Sequence, residues 1–146
     1  MSAPQSYKNH GRMDPMFHYF LVPVLLANIA VSIIWFVRHH AAHRHIAPWF
    51  ILMSLAIFCM AGLTRGYALK AQDRTIRLEE RLRLASLVSP SELVELDSLT
   101  MRQYIALRFA SNPELPALAR RAIRENLTAK QIKQSISVWR PDNDRI

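Results

Sequence analysis

The stretch IAPWFILMSLAIFCMAGLTRGYALKAQDRTIRLEERLRLASLV, residues 46–88, decides the fold. Its first part, Ile46 to Leu63, carries no Asp, Glu, Lys or Arg, and its last part is densely charged. No Pro occurs between Trp49 and Val88, and no Gly between Tyr67 and Val88, so nothing local stops a helix where the polarity changes. One continuous helix is expected from about Ile46 to Val88. A helix rises about 1.5 Å per residue and the hydrocarbon core of a bilayer is about 30 Å thick, so about 20 apolar residues span it. Ile46–Leu63 is at the short end of that range, and Thr64, Gly66 and Tyr67 extend it into the interface.

Upstream, Phe17 to Val37 forms a second apolar run without Asp, Glu, Lys or Arg. Lys8 and Arg12 precede it as in a secretory signal, but the run is too long for a signal core. Arg38, His39 and His40 stand where a small-residue cleavage site would be. Both runs therefore read as permanent spans. The connection 38–45 is so short that the spans must be antiparallel neighbours. Lys and Arg collect on cytoplasmic flanks. Arg38 and Arg44 lie on the loop side, against Lys8, Arg12, Arg65, Lys70, Arg74, Arg77, Arg81 and Arg83 on the other, which puts both termini in the cytoplasm.

The expected architecture is all-α. A polar tail (1–16) leads into a transmembrane hairpin (17–63) with a short outer loop (38–45). A charged juxtamembrane helix (64–88) and a small cytoplasmic helical bundle (89–146) follow. The formal charge is +8, yet residues 89–146 hold nine basic and seven acidic side chains, so the excess sits near the bilayer. That placement suits anionic lipid headgroups better than DNA. A 58-residue domain is below the size at which one core is comfortably stable. It is expected to lean on the membrane, a second copy or another membrane protein. Cys59 is the only cysteine, which excludes an internal disulfide and a cysteine-rich metal site.

Helix starts punctuate the C-terminal part. Ser89-Pro90-Ser91-Glu92, Thr100-Met101-Arg102-Gln103 and Thr128-Ala129-Lys130-Gln131 are capping boxes, and Asn112-Pro113 reads as a fourth cap. Helices are expected at roughly 90–97, 101–111, 113–126 and 129–139. Their core is expected from Leu93, Leu96, Leu99, Ile105, Leu107, Phe109, Leu115, Leu118, Ile123, Leu127, Ile132, Ile136 and Trp139. Along the long helix, Thr64, Ala68, Ala71, Thr75, Leu78, Leu82 and Ala85 repeat at heptad spacing. That seam either packs on the chain's own C-terminal domain or pairs with a second copy.

Several segments carry a family resemblance: Tyr7-Lys8-Asn9-His10, Arg12, Asp14-Pro15, His18, Gln72-Asp73-Arg74, Ile76-Arg77-Leu78-Glu79-Glu80-Arg81-Leu82-Arg83, Ala106-Leu107-Arg108-Phe109-Ala110, Glu114-Leu115-Pro116, Ile132-Lys133 and Trp139-Arg140-Pro141-Asp142. Together they resemble a bacterial family with two spans, domain of unknown function 6526. The resemblance covers nearly the whole chain and implies a bacterial membrane protein. It implies no activity.

Other constellations are weak. His39, His40, His43 and His45 crowd the loop, where neutral imidazoles could bind zinc or copper, although no carboxylate or thiol nearby completes a tetrahedral site. Asp14 can cap the first span, or pair with the base of the long helix near Gln72, Asp73, Arg74 and Arg77. Asn28, Ser32 and Ser54 are polar groups within the spans, suited to hydrogen bonds between helices. Arg120, Arg121, Arg124, Lys130 and Lys133 would lie on a helix-turn-helix near Asn126, but Glu114, Glu125 and the membrane tether argue against nucleic acid. The chain has no Gly-rich phosphate loop, Gly-x-Ser-x-Gly or His-Glu-x-x-His, so neither an enzyme nor a cofactor is expected. The expected function is that of a membrane-anchored helical adaptor or accessory subunit. Its contacts would run through Asp73, Arg74, Arg77, Leu78 and Leu82, and through Arg120, Arg121 and Arg124. The alternatives are a membrane-tethered regulator that binds nucleic acid and a metal-responsive membrane protein using the loop histidines.

Overall fold

The computed structural model describes residues 6–7, 13–39 and 46–142. Every regular element among them is helical. A π-helical segment, Met16–Leu21, runs into α1 (Val22–His39). Then follow α2 (Ile46–Ala85), α3 (Pro90–Leu96), α4 (Met101–Leu107), α5 (Leu115–Arg124) and α6 (Ala129–Ser135). The described residues divide into two units, 13–69 in the first and 70–142 together with 6–7 in the second, with α2 contributing to both.

In the first unit two helices are long and apolar enough to cross a membrane. Only 11% and 6% of their most apolar stretches are buried within the chain, so they are not the core of a soluble domain folded around them. Asp14 caps the first: its Oδ1 accepts from the backbone N–H of Met16 (3.0 Å) and Phe17 (3.3 Å). Its Oδ2 meets Arg65 at 3.5 Å, and the same guanidinium lies 4.5 Å over the Phe17 ring. Asp14 thus pairs with Arg65 on α2, and not with the 72–77 segment. Nearer the loop, Ser32 Oγ and Ser54 Oγ are 3.0 Å apart and buried, with Asn28 Oδ1 3.4 Å from Ser54 Oγ. Trp35 meets Phe50 edge to face. These contacts pair rising positions on α1 with falling positions on α2, the antiparallel order that the short loop demands.

The second unit has a core of Leu84, Leu96, Leu99, Tyr104, Ala106, Leu107, Phe109, Ala110, Leu115, Leu118, Ala119, Ala122, Leu127, Ile132 and Ile136. Leu93, Ile123 and Trp139 pack against it partly buried. The three capping boxes form as expected: Ser89, Thr100 and Thr128 each accept from the N3 amide, while Glu92, Gln103 and Gln131 return to the cap. The fourth cap does not form. Asn112 Oδ1 is taken by Arg83 Nε at 2.7 Å, and α5 begins at Leu115.

The helices are shorter than the apolar pattern suggests. α2 stops at Ala85 because its last turn tightens, with Leu87 N–H reaching the Leu84 carbonyl at 2.9 Å, and Ser89 is extended before Pro90. α4 stops at Leu107 and α6 at Ser135, because the chain after α6 is drawn out alongside the end of α4. Ala110 and Trp139 form an antiparallel bridge, and Arg140 N–H donates to the Phe109 carbonyl at 2.8 Å. Glu114 holds this strap: its carboxylate accepts from the N–H groups of Ser111, Ser137 and Val138. Trp139 lies against Phe109, ring centroids 5.0 Å apart.

Candidate functional site

The second unit gathers its charge around Glu80. Leu84 and Ile76, one helical turn on either side, are buried, and Glu80 goes in with them at 4% exposure. Burial of a carboxylate demands partners. Arg83 Nη1 donates to Glu80 Oε2 at 3.0 Å, and Arg140 approaches Oε1 at 3.6 Å. Arg83 also donates to the Ala110 carbonyl (2.6 Å) and to Asn112, so it ties α2 to the strap. Arg108 is buried with its Nε 3.0 Å from Asp142, an ion pair rather than a directed hydrogen bond. A polar cavity of about 290 Å³ lies among Glu79, Glu80, Arg83, Arg108, Arg140 and Asp142. Burial raises the Glu80 pKa, opposed by Arg83 and Arg140. Acids and arginines are balanced here, so the cluster serves to fasten the chain's last described residues to α2.

The residues singled out in the sequence fall elsewhere. Leu78 and Leu82 are 60% and 64% exposed, so the heptad seam does not pack on the chain's own domain. The domain covers the other side of α2, through Ile76, Glu80 and Leu84. Each of these is two residues, about 200° of rotation, from Leu78 or Leu82. Arg74 is exposed and Asp73 partly so, while Arg77 lies 5.9 Å over the Tyr104 ring. Burial raises the Tyr104 pKa.

The C-terminal arginines are paired. Arg120 meets Glu92 at 2.8 Å, and Arg121 and Arg124 both meet Glu125, at 2.9 and 3.1 Å. These bonds help hold the Glu92 and Glu125 carboxyls below their ordinary range; at Glu92 the Ser89 cap contributes most. The turn between α5 and α6 works without Gly because Asn126 takes the left-handed conformation, φ 46°. Of the loop histidines only His39 is described. Its ring stacks on Trp35, with Nδ1 3.1 Å from the Trp35 carbonyl. His40, His43 and His45, with Asn9, His10 and Arg12 of the tail, lie outside the described residues. Among the described residues no group of three metal-ligating side chains assembles. Glu80 and Glu114 escape a reading by motif, and the capping box that marks Gln103 foretells its cap but not its burial or its bonds to the Ala122 and Leu127 carbonyls.

These features define an all-helical protein with two helices of membrane-spanning length and apolarity and a compact helical domain. The chain belongs to DUF6526, a family of unknown function, whose sequence model matches residues 1–146. Comparison with curated proteins and with solved structures returns no match.

Proposed function

We propose that this protein is a membrane-anchored adaptor of the bacterial inner membrane, a two-span protein with both termini cytoplasmic, acting through protein–protein contacts of its C-terminal half. The observation that carries the reading is α2 itself. It is apolar and largely uncovered by the chain through its first half, then joins the core of a folded domain through Ile76 and Leu84. Trp49 and Tyr67, both exposed, stand 18 positions apart. That is about 27 Å of helix, near the thickness of the hydrocarbon core, and aromatic residues favour its two interfaces. Basic residues from Arg65 to Arg83 suit anionic headgroups at the cytoplasmic face. Pairing of Arg120, Arg121 and Arg124 with carboxylates leaves that surface poorly suited to phosphates.

The test is photo-crosslinking of the whole protein in native membranes, with a photoreactive residue at Leu78, Leu82 or Val94, all exposed apolar positions. A discrete protein adduct from at least one of them is expected, with the protein retained in the membrane pellet after alkaline carbonate. Adducts to nucleic acid alone, no adduct from any position, or release by carbonate would refute the adaptor.

A further inference from the structure

The exposed side of α2 has a pattern of its own. With Leu78 at heptad position d and Leu82 at a, the repeat places Ala68 and Thr75 at a, and Ala71 and Ala85 at d. Arg74 then falls at g and Glu79 at e, flanking the seam on opposite sides. In a parallel pair of helices a g residue faces the e residue five positions later on the other helix, which is the interval from Arg74 to Glu79. Two helices in register would make this ion pair twice, once on each side. Both side chains are exposed, and neither is in an ion pair within the chain among the described residues. Arg81, the next g residue, pairs with Asp97 of its own domain at 2.7 Å and faces only Ser86 across the seam.

We infer that the Leu78–Leu82 face binds a second copy of this chain as a short parallel coiled coil, registered by reciprocal Arg74–Glu79 pairs. The inference rests on the adaptor reading above and names its partner. Two copies inserted in the membrane the same way present their α2 helices in parallel, as this register requires. The chain's own domain covers the opposite side of α2 and leaves the seam clear. Lipid is the weaker occupant: counted along α2, Leu78 is 11 residues beyond Tyr67, about 16 Å, which is past the depth of a headgroup layer.

The test uses disulfide crosslinking of the full-length protein in native membranes, with Cys59→Ala as background. Thr75→Cys, in the seam, should form a disulfide dimer at least ten times more readily than Lys70→Cys, which is exposed but off the seam. In the Thr75→Cys chain, Arg74→Glu or Glu79→Arg alone should reduce the dimer several-fold, and the two together should restore it. Leu78→Asp with Leu82→Asp should abolish it. None of these four side chains enters the domain core, but Glu79 borders the charged cavity beside Glu80. Protease resistance of residues 89–146 should therefore be unchanged in the Arg74→Glu chain and in the Leu78→Asp, Leu82→Asp chain, which separates lost pairing from lost folding. Equal crosslinking from Thr75 and Lys70, or single charge reversals without effect, overturns the inference. A photo-adduct of Leu78 solely to a different protein also overturns it while leaving the adaptor standing; absence of every adduct removes both.

Discussion

Glu80 is a carboxylate whose surroundings favour the neutral form despite two neighbouring arginines, because burial outweighs them. A folded pKa above the ordinary 4.5 means that protonation stabilises the fold. That contribution is fully present below pH 4.5 and is lost as the pH rises through the raised value. Glu80→Gln, neutral at every pH, should therefore gain stability relative to the natural protein as the pH rises from 4.5 to 8. Melting of the whole protein in detergent, followed by Trp139 fluorescence with Trp35 and Trp49 replaced by Phe, measures this. A relative gain for the natural protein with rising pH would mean that its ion pairs outweigh its burial. Glu114 works at the same scale. Three backbone N–H groups converge on its carboxylate, so Glu114→Ala should release the strap and cost about 2–3 kcal/mol. Hydrogen exchange at Ser137 and Val138 should report the loss directly.

The capping boxes are alike in sequence but unlike in setting. Gln131 is exposed and serves only its cap. Gln103 is buried, and its amide also donates to the carbonyls of Ala122 and Leu127, joining α4 to the turn between α5 and α6. Gln131→Ala should cost about 1 kcal/mol, the usual worth of a cap, and Gln103→Ala about 3, since two buried carbonyls lose their donor. Pulse proteolysis of the whole protein compares them; equal costs would mean that water replaces the Gln103 amide. The boxes were legible because each closes within four residues. The true ends of α4 and α6 were not, because they are set by the bridge between Ala110 and Trp139, 29 positions apart in the chain.

At the scale of the molecule the open matter is orientation. Eight basic residues flanking one side of the spans, against Arg38 and Arg44 in the loop, predict that Ser137 faces the cytoplasm and Ala41 the outside. In a Cys59→Ala background, an impermeant thiol reagent applied to intact cells should label a cysteine at Ala41 and not one at Ser137. The reverse pattern would invert the topology and place the C-terminal domain outside. Loss of the four loop histidines, each changed to Gln, should leave membrane insertion and the amount of protein unchanged. A drop accompanied by loss of bound zinc would revive the metal reading.

The sequence by itself determined the two apolar helices, the unbroken run of α2 across its change in polarity, the three capped helix starts and most of the large core residues. These depend on interactions within a turn or two, or on transfer from water, which composition reports directly. Tertiary structure decided which side of α2 is covered. Leu78 and Leu82 on one side and Ile76 and Leu84 on the other are apolar alike, so periodicity alone cannot choose. The choice rests with Tyr104, Asn112 and Arg140, far along the chain, and with Ala106, Ala119 and Ala122, whose smallness admits close packing without marking a core in the sequence. The side left exposed is the one with the heptad spacing, because the domain needs only one side of the helix to complete its core.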